Sequence, residues 1–356
     1  VLGMGYTYGQ ALVVVFISGI FFIVITAIGL REAIIRSIPD AVKTAITPGI
    51  GLFITIIGLK NAGIVIANPA TLVSLVDFSQ WKADGADMAL INGALVALLG
   101  LVTMGILHAR KVKGSILLGI VAATLIGIPL GITHISNLDM NIGVKFRDFA
   151  EVSFMKMDFA GLFAGGNFIE TLFTVTMLVI SFSLVNMFDS IGTLLGAAKQ
   201  SGMIDENGEV INMKQALMSD AISTAAGAMV GTSTVTTVVE SSAGIAAGGR
   251  TGLTSLVTAV MFLAAIIFVP VVSIIPAAAT APALIFVGIL MLGNIRDVDF
   301  CDMSNALPAF CTIVFMPFTY SIANGVAFGL ITYCLMKLTT GRKQDVKALT
   351  LMISAV

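Results

Sequence analysis

Two carboxylates lie inside apolar stretches of this chain. Asp189 sits in Ser-Leu-Val-Asn-Met-Phe-Asp-Ser-Ile-Gly-Thr-Leu-Leu-Gly (183–196), and Glu240 in Val-Thr-Thr-Val-Val-Glu-Ser-Ser-Ala-Gly-Ile-Ala-Ala-Gly-Gly (235–249). The remaining acids among the 20 Asp and Glu fall in loops or at the ends of apolar segments. A carboxylate shut away from water must take up a proton or find a partner. One that does so together with its cargo couples the two, which is the physical basis of proton symport. Helical spacing sets Asn186 and Thr193 on the face of Asp189. Asp220, near the start of the next apolar segment, is a third candidate acid.

Glu240 joins a β-prone Thr/Val run to a run of small residues. At membrane depth such a broken element can face only protein or a water-filled cavity, which makes it a binding-site candidate. A carboxylate accepts two adjacent N–H groups side by side, and the free backbone N–H groups of a half-helix donate back. Ser241 and Ser242 suit the N-cap of that half-helix. A flat base edged with donors and acceptors fits this arrangement, and a cation would also suit two acids. The residues alone leave that choice open. Phe188 and Val239, beside the two acids, join Thr193 and Ser241 in the candidate binding set, with Phe188 placed for packing first and stacking second. Proton coupling is expected of Asp189, Asp220 and Glu240.

The surroundings are those of an integral membrane protein. Hydrophobic residues make up 57% of the 356, charged residues 11%, and mean hydropathy is +1.03. Soluble domains carry about 25% charged residues, so this chain cannot cover itself with a solvated surface. The net charge of -1 leaves no basic excess for nucleic acid. Cys301, Cys311 and Cys334 have no ligand spacing and read as small hydrophobes. HExxH, Walker A and GxGxxG patterns are absent from the sequence, so cofactor chemistry and ATP-driven pumping lack support, and no enzyme activity is expected.

A membrane span needs roughly 20 apolar residues. That rule places spans near 9–30, 42–60, 88–107, 114–133, 168–198, 213–230, 232–249, 252–275, 281–295, 305–321 and 323–338, the segment 232–249 opening as a short strand. Lys and Arg mark the cytoplasmic side. Most of the 19 fall on one set of alternate loops, from Arg31, Arg36 and Lys43 to Arg342 and Lys343, while Lys60, Lys82, Lys145, Arg147 and Lys156 fall on the other. The C-terminus is therefore expected in the cytoplasm, and the loops 61–87 and 134–166 outside. Residues 14–39 close on Ile-Arg-Ser-Ile-Pro, and residues 255–276, running in the opposite sense, close on Val-Ser-Ile-Ile-Pro. Opposed copies are what an inverted repeat requires. Were the repeat complete, about three further segments, roughly 80 residues, would precede Val1.

Phe-Asp-Ser-Ile-Gly-Thr (188–193), Ser-Asp-Ala-Ile-Ser (219–223) and the whole of 231–252 resemble the xanthine/uracil permease superfamily, and within it the azaguanine-type branch. Ala-Pro-Ala-Leu-Ile-Phe-Val-Gly (281–288) and Met-Pro-Phe-Thr-Tyr-Ser-Ile-Ala-Asn-Gly (316–325) fit the same branch. The resemblance implies an all-α polytopic membrane protein of fourteen segments in two inverted sevens, about eleven of them present here. It implies a core domain (1–30 and 134–275) moving against a gate domain (31–133 and 276–340), with 341–356 a cytoplasmic tail. It further implies proton-coupled import of purine nucleobases (hypoxanthine, guanine, adenine) across the cell membrane by alternating access. Asp189, Asp220 and Glu240 stand at the family's acids on the eighth, ninth and tenth segments, and Thr193 stands where some relatives carry histidine. Homodimers are common in the wider superfamily but leave no mark in one sequence. An anion carrier or channel of the same fold would line the tenth segment with neutral or basic residues, and the acids speak against it. An intramembrane aspartyl protease would need a Gly-x-Gly-Asp motif, which this chain lacks.

Overall fold

The computed structural model describes residues 6–81, 87–133, 147, 149–163, 168–205, 210–238, 241–268, 272, 274–342, 344, 346 and 350. Helix dominates it. In chain order the helices are α1 (Tyr8–Ala27), α2 (Leu30–Ser37), α3 (Asp40–Asn61), α4 (Met88–Ala109), α5 (Ser115–Gly127), α6 (Phe159–Phe163), α7 (Phe168–Ser201), α8 (Met213–Val230), α9 (Ser241–Ala246), α10 (Gly252–Ala265), α11 (Ala277–Leu292), α12 (Met303–Thr319) and α13 (Ile322–Thr339). Among the described residues five helical stretches are long and apolar enough to cross a membrane: Tyr8–Ala27, Asp40–Asn61, Met88–Ala109, Ala277–Asp297 and Ile322–Thr339. Helix falls within every expected span, although α5, α9, α10 and α12 are shorter than a full crossing.

The chain divides into two compact units. The first comprises Val1–Thr47, Asn141–Val239 and Asp297–Val356. Here α1 packs along α8 and against α7, α7 also touches α13, and α12 and α13 form an antiparallel pair. Small residues let the backbones meet, as in membrane bundles where lipid supplies no hydrophobic drive between helices. A Cβ on Gly19 of α1 would stand 2.7 Å from the backbone nitrogen of Ala225 on α8. Ser18 and Ser183 tie α1 to α7 through a 2.9 Å hydrogen bond between their hydroxyls. Val13, Val14, Leu162, Val175 and Val179 form a buried cluster between α1, α6 and α7. The turn between α12 and α13 places Tyr320 at φ +56° and makes Ser321 the N-cap of α13, its hydroxyl accepting from the Asn324 N–H.

The second unit comprises Pro48–Met140 and Glu240–Arg296. Within it α11 packs on α4 and α5. A Cβ on Gly288 would lie 2.6 Å from the Gly51 carbonyl, so α3 and α11 also approach through glycines. The loop expected at 61–87 contains an antiparallel hairpin, β1 (Val65–Asn68) with β2 (Leu72–Leu75), which was not among the expected elements. The core and gate boundaries expected from the resemblance cut the chain differently from these units. The differences lie in α2 with the start of α3 and in α12 and α13, which fall in the first unit, and in α9 and α10, which fall in the second; α12 and α13 group with α7 because α13 packs on it.

Segment 232–238 is not the strand its Thr/Val content predicts. It has no ladder partner among the described residues, and side chains satisfy its backbone instead. Thr224 donates its hydroxyl to the Val235 carbonyl at 3.1 Å, and the Thr237 N–H reaches Asp220 Oδ1 at 3.3 Å. Val and Thr favour extended backbone, but a strand exists only where a second edge meets it. Left-handed Gly231 (φ +92°) ends α8 and turns the chain into this segment.

Candidate functional site

Within the first unit, α7, α8, the start of α13 and the segment 232–238 present one set of polar groups in apolar surroundings. The α7 face carries Asn186, Asp189, Ser190 and Thr193, at spacings of three and four residues that bring them onto adjacent turns. Asp189 is half-buried. Its carboxylate lies beside the backbone N–H of Ala323, in the first turn of α13. A helix start welcomes an anion because its first N–H groups have no partner inside the helix. The second oxygen, Oδ1, is buried and has no partner among the described residues.

Asn186 stands one turn before it, 6% exposed, and its Nδ2 is likewise buried and unpartnered among the described residues. A buried polar atom without a partner is unusual and needs a reason, since leaving it unmade costs roughly 1–3 kcal/mol. Here an acceptor and a donor go unused one helical turn apart.

Thr193 is buried, but its hydroxyl turns back onto its own helix, 2.9 Å from the Asp189 carbonyl and 3.1 Å from that of Ser190. It offers no free donor to a ligand. Asp220 is 5% exposed and accepts from Arg31 Nη2 at 3.0 Å and from the Ser190 hydroxyl at 2.8 Å, both at Oδ2. Because the Ser190 proton is spent on Asp220, the 2.8 Å contact between Ser190 and Thr236 has Thr236 as donor. Ser241, the first residue of α9, is exposed and lies in the second unit. Glu240 and Val239 lie outside the described residues, as does the side chain of Phe188.

Sequence reasoning gave Arg31 to the cytoplasmic loops. It is wholly buried instead. The positive-inside count scores any Arg near a span end and cannot see a partner 189 residues away. Helical spacing puts Asn186 on the Asp189 face, and the signal for a role is an amide one turn from an intramembrane acid. Among the described residues, no group of three or more His, Cys, Asp and Glu could hold a metal ion.

Comparison with known proteins agrees with the fold. Residues 1–328 match the xanthine/uracil permease family. The chain is 37% identical over 356 residues to the adenine permease AdeQ of Escherichia coli, covering 99% of this chain and 74% of that one. It is 38% identical over 361 residues to the guanine/hypoxanthine permease PbuO of Bacillus subtilis, covering 98% and 77%. Identity to the guanine/hypoxanthine permease GhxP of Escherichia coli O157:H7 is 32% over 362 residues, covering 100% and 76%. The chain is a membrane protein and belongs to the xanthine/uracil permease family.

Proposed function

We propose that this protein imports purine nucleobases across the cell membrane, coupled to protons, by alternating access, with its C-terminus in the cytoplasm. The observation that carries the reading is the pair of buried, unpartnered groups on α7, Asn186 Nδ2 and Asp189 Oδ1. A purine edge offers an N–H beside a carbonyl or ring nitrogen, so Asp189 accepts from the base and Asn186 donates to it. This pairing recognises the class and does not choose among adenine, guanine and hypoxanthine. The named activities of AdeQ, PbuO and GhxP support the same class. The motif resemblance adds Glu240, Ser241, Val239 and Phe188 as candidate binding residues, with Glu240 as a second carboxylate for base and proton. Asp189 is the proton acceptor, because one of its oxygens is buried with no partner among the described residues. Proton and cargo then arrive at one group.

Uptake of radiolabelled hypoxanthine and adenine, in cells lacking their own purine carriers, tests this. Asp189→Asn and Glu240→Gln are expected to abolish accumulation, and so is collapse of the proton gradient. Unchanged uptake in both variants would end the site assignment. Accumulation that follows sodium instead would remove the proton half.

A further inference from the structure

Arg31 opens onto a chain of hydrogen bonds that no part of the proposed transport step uses. It lies in the first turn of α2, fully buried, with its guanidinium carbon 4.7 Å from the centre of the Phe22 ring on α1. Nη1 donates to the Leu217 carbonyl of α8 at 3.1 Å, and Nη2 to Asp220 Oδ2 at 3.0 Å. Asp220 passes the constraint on in two directions. Its Oδ2 holds the hydroxyl of Ser190, the residue after Asp189 on α7, and its Oδ1 holds the Thr237 N–H of the extended segment. Ser190 in turn takes the Thr236 hydroxyl at 2.8 Å. One buried guanidinium thus fixes α8, α7 and segment 235–237 through a single carboxylate.

We infer that Arg31 is a positioning residue for the α7 binding face, acting through Asp220. The inference rests on the proposed purine site, because it concerns the groups that hold that site in register. Arg31 sets the height of Ser190 on α7 and thereby the angle at which Asn186 and Asp189 meet the base. A forked guanidinium can serve Leu217 and Asp220 at once, whereas an ammonium on a flexible stem is a point charge without that fixed fork. The pair also assigns Asp220 a fixed role as the counter-charge of Arg31. Protonating Asp220 during transport would leave a buried cation alone, which proteins tolerate poorly. Coupling is therefore expected to reside at Asp189 and Glu240, and the proton role expected of Asp220 from the sequence is replaced by an anchoring one.

The test compares wild type, Arg31→Met, Asp220→Asn, the double variant and Arg31→Lys, each checked for a single gel-filtration peak in detergent. Equilibrium binding of radiolabelled hypoxanthine and the KM and Vmax of uptake are measured together. Each neutralising single variant strands one buried charge, and is expected to weaken hypoxanthine binding by about tenfold or more. The double variant strands none. It is expected to recover most of that loss and to keep proton-driven accumulation. Arg31→Lys retains the charge if the methionine variant does not fold, and is expected to raise KM several-fold with Vmax kept. Wild-type affinity in the single variants, wild-type KM in Arg31→Lys, or a folded double variant that binds but cannot accumulate would overturn the inference and leave the purine function standing. A wild-type protein that binds no hypoxanthine would overturn both.

Discussion

Replacing Asn186 by leucine should move stability and binding in opposite directions. Nδ2 of Asn186 is buried and has no partner among the described residues. Leucine keeps the branched four-atom skeleton of the side chain, with bulkier methyl tips, and removes a polar group that is already unsatisfied, a term of about 1–3 kcal/mol in favour of the folded state. The unfolding midpoint in detergent is expected to stay level or rise. Binding should fall, because the acceptor on the base would then be buried against methyl groups. The same range of about 1–3 kcal/mol, now lost, weakens affinity roughly 5- to 150-fold. Hypoxanthine binding by scintillation proximity, beside a thermal unfolding curve on the same preparation, reads both quantities. A midpoint that drops while affinity is unchanged would show that Asn186 is a structural amide. The complementary edge on α7 would then be refuted.

Other perturbations separate contact from support. Thr193→Val should leave the KM for hypoxanthine within about twofold, since a direct donor role is worth more than that and the hydroxyl is spent on its own helix; a tenfold rise in KM would return Thr193 to the binding set. Gly19→Val places a side chain where even a Cβ would be 2.7 Å from the Ala225 nitrogen. Overpacking costs about 1–3 kcal/mol or more, so a lower yield of monodisperse protein is expected, and normal yield with an unchanged midpoint would contradict the close α1–α8 approach. Asp302, the N-cap of α12, is pushed down to about 2 by the Ser304 N–H, the Ser304 hydroxyl and then Arg342. A depressed carboxyl stabilises above its unfolded value of 3.8 and loses that effect as pH falls toward 2. The midpoint difference between wild type and Asp302→Asn should hold constant from about pH 5 to 8, by this linkage, and shrink below about 4. A difference that grows on acidification would give Asp302 the opposite sign.

Much of this was legible in the residues. Apolar length locates the helices, because a segment in lipid has to satisfy its backbone internally. Asp189 on α7 stands out because it interrupts such a run, and Asp220 lies near the start of the next one. What stayed hidden is what depends on a distant partner. Arg31 reads as an interfacial anchor until α8 brings Asp220 to it from 189 residues away. Thr236 and Thr237 read as strand residues, yet they bind Ser190 and Asp220 rather than a neighbouring edge. The hairpin around Asn68 and Leu72 passed unnoticed in a loop, because two four-residue strands give too short a pattern to separate from irregular chain. Thr193 had the spacing of a ligand group, but only the folded structure shows where a hydroxyl rotor points.

Purified protein in sealed liposomes, with an imposed pH gradient and no sodium, offers the most direct measurement of carrier function. Labelled hypoxanthine should concentrate inside when the interior is alkaline, and should leak back when a protonophore is added. Uptake that merely equilibrates, ignores the protonophore, or persists in Asp189→Asn at the wild-type level would contradict a carboxylate that binds base and proton together.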